Sequence, residues 1–215
     1  MVKVIVALDL PTADEALSMA EQVRDHVAGF KIGLGLLHGP GPRVIGSLNE
    51  LGRPVFADAK LHDIPSQVEA GARHLAEHGA RWVTAHAPGG AAMLKAAVTG
   101  LAQGGAEAGI LAVTVLTSID TAEPELVQGL AHTAATAGCE GIVSSPHELA
   151  LVAAAAPGLL RVTPGIRLVA SDDDQARTAT PGEAIAAGAD YLVIGRPITR
   201  AQDPAEAARA IAHGS

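Results

Sequence analysis

Apolar residues are distributed along this chain in two alternating rhythms. Short runs rich in β-branched residues are separated by longer Ala-rich stretches, in which apolar positions return at helical spacing. Eight runs read as strands: 3–8 (KVIVAL), 29–33 (GFKIG), 54–60 (PVFADAK), 81–86 (RWVTAH), 109–116 (GILAVTVL), 141–145 (GIVSS), 160–166 (LRVTPGI) and 190–195 (DYLVIG). A helical stretch follows each of them, except that 167–180 reads first as a loop. Punctuation supports the division. Ser66 with Glu69 has the spacing of a capping box, Ser144 or Ser145 suits a helix start in SSPHE, and HGA (78–80) and AGAD (187–190) read as helix exits into strands. Eight βα units with continuously apolar strands predict a single (β/α)8 TIM barrel spanning 1–215, with an open doubly wound sheet as the alternative.

In such a barrel chemistry sits at the C-terminal ends of the strands, and polar residues collect there. The segment FADAKLHDIP places Asp58 and Lys60 two apart, hence on one face of the third strand, with Asp63 just beyond its end. Lys31 lies near the end of the second strand. One ion pair is equally well read as structural, but two lysines and two carboxylates on one rim exceed what a fold needs, since apolar replacements of such pairs are often neutral or stabilising. A lysine held between carboxylates stays protonated and able to donate to a developing carbanion. Asp9, after the first strand, reads either as a loop or capping residue, or as an acceptor for substrate hydroxyls.

Composition narrows the function classes. The formal net charge is −8, and the aromatic residues are Phe30, Phe56, Trp82 and Tyr191. An acidic surface with no stacking platform argues against nucleic acid and against an anionic membrane surface. No apolar run approaches the roughly 20 residues of a spanning helix. The single Cys139 and an opening MVKVIVALDL without the features of a signal peptide place the expected site of action in the cytoplasm.

Near the C-terminus, VIGRPIT places Gly195 and Arg196 at the end of the eighth strand, where barrels commonly bind phosphate through backbone N–H groups. Before it, 162–182 is rich in Gly, Pro, Asp, Ser and Thr and too long for a routine connection. It suits a lid over bound phosphate, with Arg167 and Gln175 as its polar contacts and Asp172–Asp174 as solvated surface. The nine histidines form no metal-ligand spacing, and strand alternation points His62 away from Lys60. Neither a Walker A sequence nor a dinucleotide fingerprint occurs, so no cofactor is implied.

The ordered set DAKLHDIP, VTVLTS, VTPGIR, DQ and VIGRPIT resembles the orotidine 5'-phosphate decarboxylase family over essentially the whole chain. The resemblance implies conversion of orotidine 5'-monophosphate (OMP) to UMP and CO2 in pyrimidine synthesis, without metal or organic cofactor. It implies Lys60 as proton donor to C6 of the pyrimidine, Asp58 beside the departing CO2, and Asp63 completing the array from the partner subunit of a homodimer. Lys31 and Asp9 match residues on the ribose hydroxyls, Thr117 and Ser118 the base contacts, and Pro164 a pocket wall. Arg167, Gln175, Gly195 and Arg196 match the phosphate and lid contacts, and Ile64 lines the base pocket across the interface. Two departures are visible. IPSQ stands where the family usually has IPNT, putting Gln67 in place of a substrate-contacting threonine, and the Arg167–Gln175 interval is slightly short.

Two other readings share parts of this pattern. A magnesium-dependent sugar-phosphate decarboxylase or synthase of the same superfamily has the Asp-x-Lys-x-x-Asp core, but carries an acid near the strand end that Lys31 occupies, and lacks TPGIR with IGRPIT. A non-catalytic phosphometabolite-binding barrel would keep the phosphate site and have no need of the lysine donor.

Overall fold

The computed structural model describes residues 3–105, 107–119, 122–167 and 178–213. Eight strands, β1 (Val4–Ala7), β2 (Gly29–Ile32), β3 (Val55–Leu61), β4 (Trp82–His86), β5 (Gly109–Val113), β6 (Gly141–Val143), β7 (Leu160–Thr163) and β8 (Tyr191–Ile194), pair in chain order. All pairs are parallel, and β8 closes on β1 with Val4 beside Leu192. The doubly wound alternative is therefore excluded: the sheet is a closed barrel. The outer helices are α1 (Ala13–Val23), α2 (Leu34–His38), α3 (Arg43–Asn49), α4 (Pro65–Glu77), α5 (Gly90–Gln103), α6 (Pro124–Ala137), α7 (Leu149–Ala155), α8 (Pro181–Ala186), α9 (Arg196–Thr199) and α10 (Pro204–His213).

Strand alternation sorts the apolar side chains into two layers. Ile5, Ala7, Phe56, Trp82, Leu111, Val162 and Val193 fill the barrel interior. Their neighbours in sequence, such as Val4, Val6, Val55, Ala57, Val83 and Ala112, face outward against the helices. The helices meet them with buried stripes at helical spacing, for example Ala16, Ala20 and Val23 on α1 and Val68, Ala72, Leu75 and Ala76 on α4.

The two ends of the barrel are built differently. At the N-terminal end Trp82 packs edge-on against Tyr191, Arg81 lies over the Trp82 ring, and Glu140 accepts two hydrogen bonds from Arg81 at 2.7 and 2.6 Å and one from Trp82 Nε1 at 3.1 Å. These polar groups satisfy one another and plug that end. The C-terminal end holds a cavity.

Several local expectations need correction. Ser66 and Glu69 form no capping box: α4 begins at Pro65 after Ile64, which makes no side-chain cap. Proline at the first turn has no N–H to satisfy, which lessens the need for one. Capping boxes do form at Ser145 with Glu148 and at Thr180 with Glu183. Strands five, six and seven stop at Val113, Val143 and Thr163, earlier than the apolar runs suggest, because the following residues leave the sheet for the cavity rim. Asp9 does not cap α1, since Thr12 does.

Helix α4, which follows the charged strand β3, packs tightly on α5. A Cβ at the buried Gly100 would overlap the Glu69 carbonyl oxygen. Alanine favours a helix over glycine by about 1 kcal/mol, whereas forcing atoms into a packed interface costs about 1–3 kcal/mol, and here the obstacle is backbone. Gly100→Ala is accordingly expected to destabilise the protein by about 1–2 kcal/mol, read as a lowered urea midpoint; a raised midpoint would show that the helices separate freely.

Candidate active site

Strand β3 carries the site, and it does so by breaking its own register. Ala57 lies beside Val83 and Leu61 beside Ala85, so three residues, 58–60, stand opposite Thr84 alone. Lys60 has φ +47°, which no other non-glycine residue among those described shares. The left-handed region costs such a residue about 1–2 kcal/mol, and such strain clusters where surrounding structure enforces a functional geometry.

The result is an alternating row of charges. Lys60 Nζ donates to Asp58 Oδ2 at 2.6 Å, Lys31 Nζ lies 3.7 Å from the same oxygen, and Lys31 Nζ donates to Asp9 Oδ1 at 2.9 Å. Lys31 is buried, while Asp9 is exposed towards the mouth. Four charges therefore converge as the strand ends suggest, but within one chain the second carboxylate is Asp9 and not Asp63. Thr84, on β4, completes the arrangement: its hydroxyl donates to Asp58 Oδ1 at 2.9 Å and accepts the Lys60 backbone N–H at 2.8 Å. Burial pushes the Asp58 carboxyl up, but the charges of Lys31 and Lys60 and the hydrogen bonds from Lys60 and Thr84 outweigh it, so Asp58 titrates below the ordinary carboxylate value.

A cavity of about 670 Å3 opens above this row. Its lining includes Asp9, Lys31, Asp58, Lys60, Thr117, Pro164, Arg167, Gly195 and Arg196, together with Leu10, Pro11, Val115, Leu116, Thr199 and Arg200. Five basic side chains, Lys31, Lys60, Arg167, Arg196 and Arg200, face two carboxylates, Asp9 and Asp58. In a chain of net charge −8, that concentration of positive charge marks an anion site. The strands after which phosphate was expected supply its far side: β7 leads to Pro164, Gly165 and Arg167, and β8 to Gly195 and Arg196. The chain is pinned where it leaves β7, with Arg167 N–H bonded to the Ala179 carbonyl at 3.0 Å and Ala179 N–H to that of Gly165 at 3.1 Å.

Other expected residues are not gathered into the cavity. Ser118 is exposed and does not line it, because the backbone beyond β5 turns Thr117 inward and its neighbour out. Asp63, Ile64 and Gln67 lie exposed at the β3–α4 junction, outside the lining. Ile64 is 62% exposed, and the Asp63 carboxylate accepts the Ile64 N–H at 2.6 Å. Residues 168–177 of the proposed lid, Gln175 among them, lie outside the described residues. His62 is exposed and outside the cavity lining, and stands 5.4 Å from His86, ring to ring. Burial, together with His62 and Lys60 nearby, holds His86 below the usual histidine value. Cys139 is buried, which pushes its thiol up to about 12 and leaves it unreactive. Among the described residues, no three His, Cys, Asp or Glu side chains are grouped as metal ligands.

Comparison with known proteins gives this geometry a family. The family model described as orotidine 5'-phosphate decarboxylase / HUMPS family matches residues 2–211. The chain belongs to that family. A protein from Anaeromyxobacter sp. (strain K) named orotidine 5'-phosphate decarboxylase is 50% identical, with 99% of this chain and 97% of the relative covered. One of the same name from Cutibacterium acnes is 42% identical, with 96% and 93% covered. The crystal structure of the Lactobacillus acidophilus decarboxylase superposes with a TM-score of 0.86 at 37% identity, covering 98% and 97% of the two chains. That of the Methanocaldococcus jannaschii orotidine 5'-monophosphate decarboxylase, complexed with inhibitor BMP, does so with 0.82 at 26% identity, covering 99% and 98%. All four of these relatives are named decarboxylases of orotidine 5'-phosphate.

The role of Lys31 in the decarboxylase-type array is open to direct measurement. Asp58 has a depressed folded-state pKa, so the stability its ionised form contributes is complete above the unfolded value of about 3.9 and is lost as pH falls through the lower folded value. Lys31→Met removes the leading attraction and leaves burial in place. The Asp58 titration, followed by carboxyl 13C NMR, is expected to move to higher pH, and the acid end of the stability profile with it; an unmoved titration would show that Lys31 does not govern Asp58.

Proposed function

We propose that this protein converts OMP to UMP and CO2, as a homodimeric cytoplasmic enzyme of pyrimidine synthesis, with Lys60 protonating C6. The observation that carries the reading is the row Asp9–Lys31–Asp58–Lys60 lining a cavity to which the segments after β7 and β8 bring Arg167 and Arg196.

The reaction breaks the bond from C6 to the carboxylate, and the electron pair stays on C6. Lys60, fixed against Asp58, supplies the proton that this carbanion takes up, and its amine then recovers a proton from solvent. Fixed charges suit the task because they need no reorganisation as negative charge moves onto carbon. Asp58 is kept ionised by its two lysines and lies beside the departing CO2. Lys31 and Asp9 hold the ribose hydroxyls, Thr117 addresses the base, and Pro164 forms a wall. Arg196 with Gly195 takes the phosphate together with Arg167, so that contacts remote from C6 contribute to organising the transition state.

The second chain enters at the β3–α4 junction. Asp63, Ile64 and Gln67 stand exposed in one chain, and a partner placed there would bring Asp63 to Lys60 and Ile64 to the base. Gln67, longer than the family's usual threonine, would reach the substrate from the same side.

Purified protein in excess chelator is expected to remove the ultraviolet spectrum of OMP and form UMP. Loss of turnover under chelation, with magnesium restoring a reaction on sugar phosphates, would support the other branch of the superfamily. Lys60→Ala is expected to abolish decarboxylation while UMP still binds, and near wild-type turnover would remove Lys60 from the mechanism.

Sharing of sites is tested by mixing two inactive proteins. Asp63→Ala and Lys60→Ala chains are expected to regain activity when mixed, through hybrid dimers that contain one intact site. Absence of recovery, with subunit exchange demonstrated, would place Asp63 outside the partner's site.

A further inference from the structure

One buried hydroxyl stands between the strained backbone and the charged row. Thr84 is fully buried, and its neighbours Val83 and Ala85 join the outer apolar layer, so its own side chain points into the barrel. In an unbroken parallel ladder each strand N–H finds a backbone carbonyl. At the register break the Lys60 N–H, turned by φ +47°, finds the Thr84 oxygen instead. The same hydroxyl gives its only hydrogen to Asp58 Oδ1, while Asp58 Oδ2 is taken by Lys60 Nζ. A closed ring results, running from the Asp58 carboxylate through the Lys60 side chain and backbone to Thr84 and back. Both the donor and the acceptor capacity of the hydroxyl are used, and both partners belong to the reacting pair.

We propose that Thr84 is a positioning residue for the decarboxylation, its hydroxyl orienting Asp58 and holding the Lys60 backbone in the conformation that aims the ammonium group. The assignment rests on Asp58 and Lys60 being the reacting pair. Thr84 touches neither the cavity nor the substrate: it acts through these two residues.

Thr84→Val keeps the shape and removes both bonds, leaving Lys60 N–H and Asp58 Oδ1 without this partner. The expected result is a fall in kcat on the order of 10- to 100-fold, the size of a lost bond to a charged group. KM for OMP should stay within roughly threefold, because the phosphate and base contacts lie on other strands. The Asp58 titration and the acid limb of kcat/KM should move to higher pH. The charges facing Asp58 are left in place: Lys31 on β2, Lys60 on β3, and, further off, Asp9 beyond β1 and His86 on β4. Thr84→Ser should return kcat to within roughly threefold of wild type. Should the valine variant not fold, Thr84→Cys has the same size with a weak hydrogen-bonding group and should show the same direction of change.

A valine or cysteine variant that loses thermal stability with an unmoved Asp58 titration would overturn the proposal, as would a serine variant no more active than the valine one. The NMR titration of Asp58 does not depend on turnover. Wild-type protein inactive on OMP, with Asp58 still shifted by Thr84→Val, would therefore overturn the assigned reaction and leave the positioning of Asp58 by Thr84 standing.

Discussion

The Asp58 carboxylate, held between Lys31 and Lys60 near the top of the barrel, is the constraint on which the site depends. Burying a lone carboxylate disfavours its ionised form strongly, and here burial is indeed the largest single influence on it. Two ammonium groups and the Thr84 hydroxyl together reverse the outcome and keep the carboxylate charged. A buried pair is weak evidence for stability in general. In the proposed reaction Asp58 must stay charged beside the departing CO2, which is a different requirement and accounts for placing two lysines on one acid.

The barrel meets this requirement by segregating its chemistry. Ile5, Phe56, Trp82, Leu111, Val162 and Val193 pack the interior, and the Arg81–Glu140–Trp82 group satisfies itself at the N-terminal end. Of the interior layer, Ala7, Phe56 and Val193 reach the cavity lining, and the C-terminal rim carries a positive excess that the net charge of the chain does not share. An anionic substrate is thereby drawn to one place on a molecule that otherwise repels it.

Much of this was legible in the sequence because it depends on period. All eight strands follow from short apolar runs, and Asp9, Lys31, Asp58, Lys60, Pro164, Arg167, Gly195 and Arg196 follow from where those runs end. What was not legible depends on departures from period. Thr84 was hidden in RWVTAH: alternation points it inward, but only the register break opposite it shows that a side chain must replace a ladder carbonyl. The signal available was a polar residue at an inward position beside the charged strand. Asp63, Ile64 and Gln67 sit in plain motif context, yet a single chain leaves them on its surface. The Ser66–Glu69 spacing misled because Pro65 already begins the helix.

Strain and chemistry coincide at Lys60. A straight β3 would satisfy its N–H in the ladder at no conformational cost, and continued alternation would still point Lys60 inward. The fold instead keeps two extra residues in the strand, a left-handed lysine and a buried threonine devoted to one N–H and one carboxylate oxygen. Stability alone gives no reason to retain such an arrangement. Its effect is to hold the lysine head against Asp58 at 2.6 Å from a backbone turned out of the sheet, so that the donor is aimed by main chain as well as by side-chain torsions. In the proposed reaction a flexible four-carbon side chain on a regular strand would have to be ordered anew for each proton delivered, whereas here that ordering is built in when the protein folds.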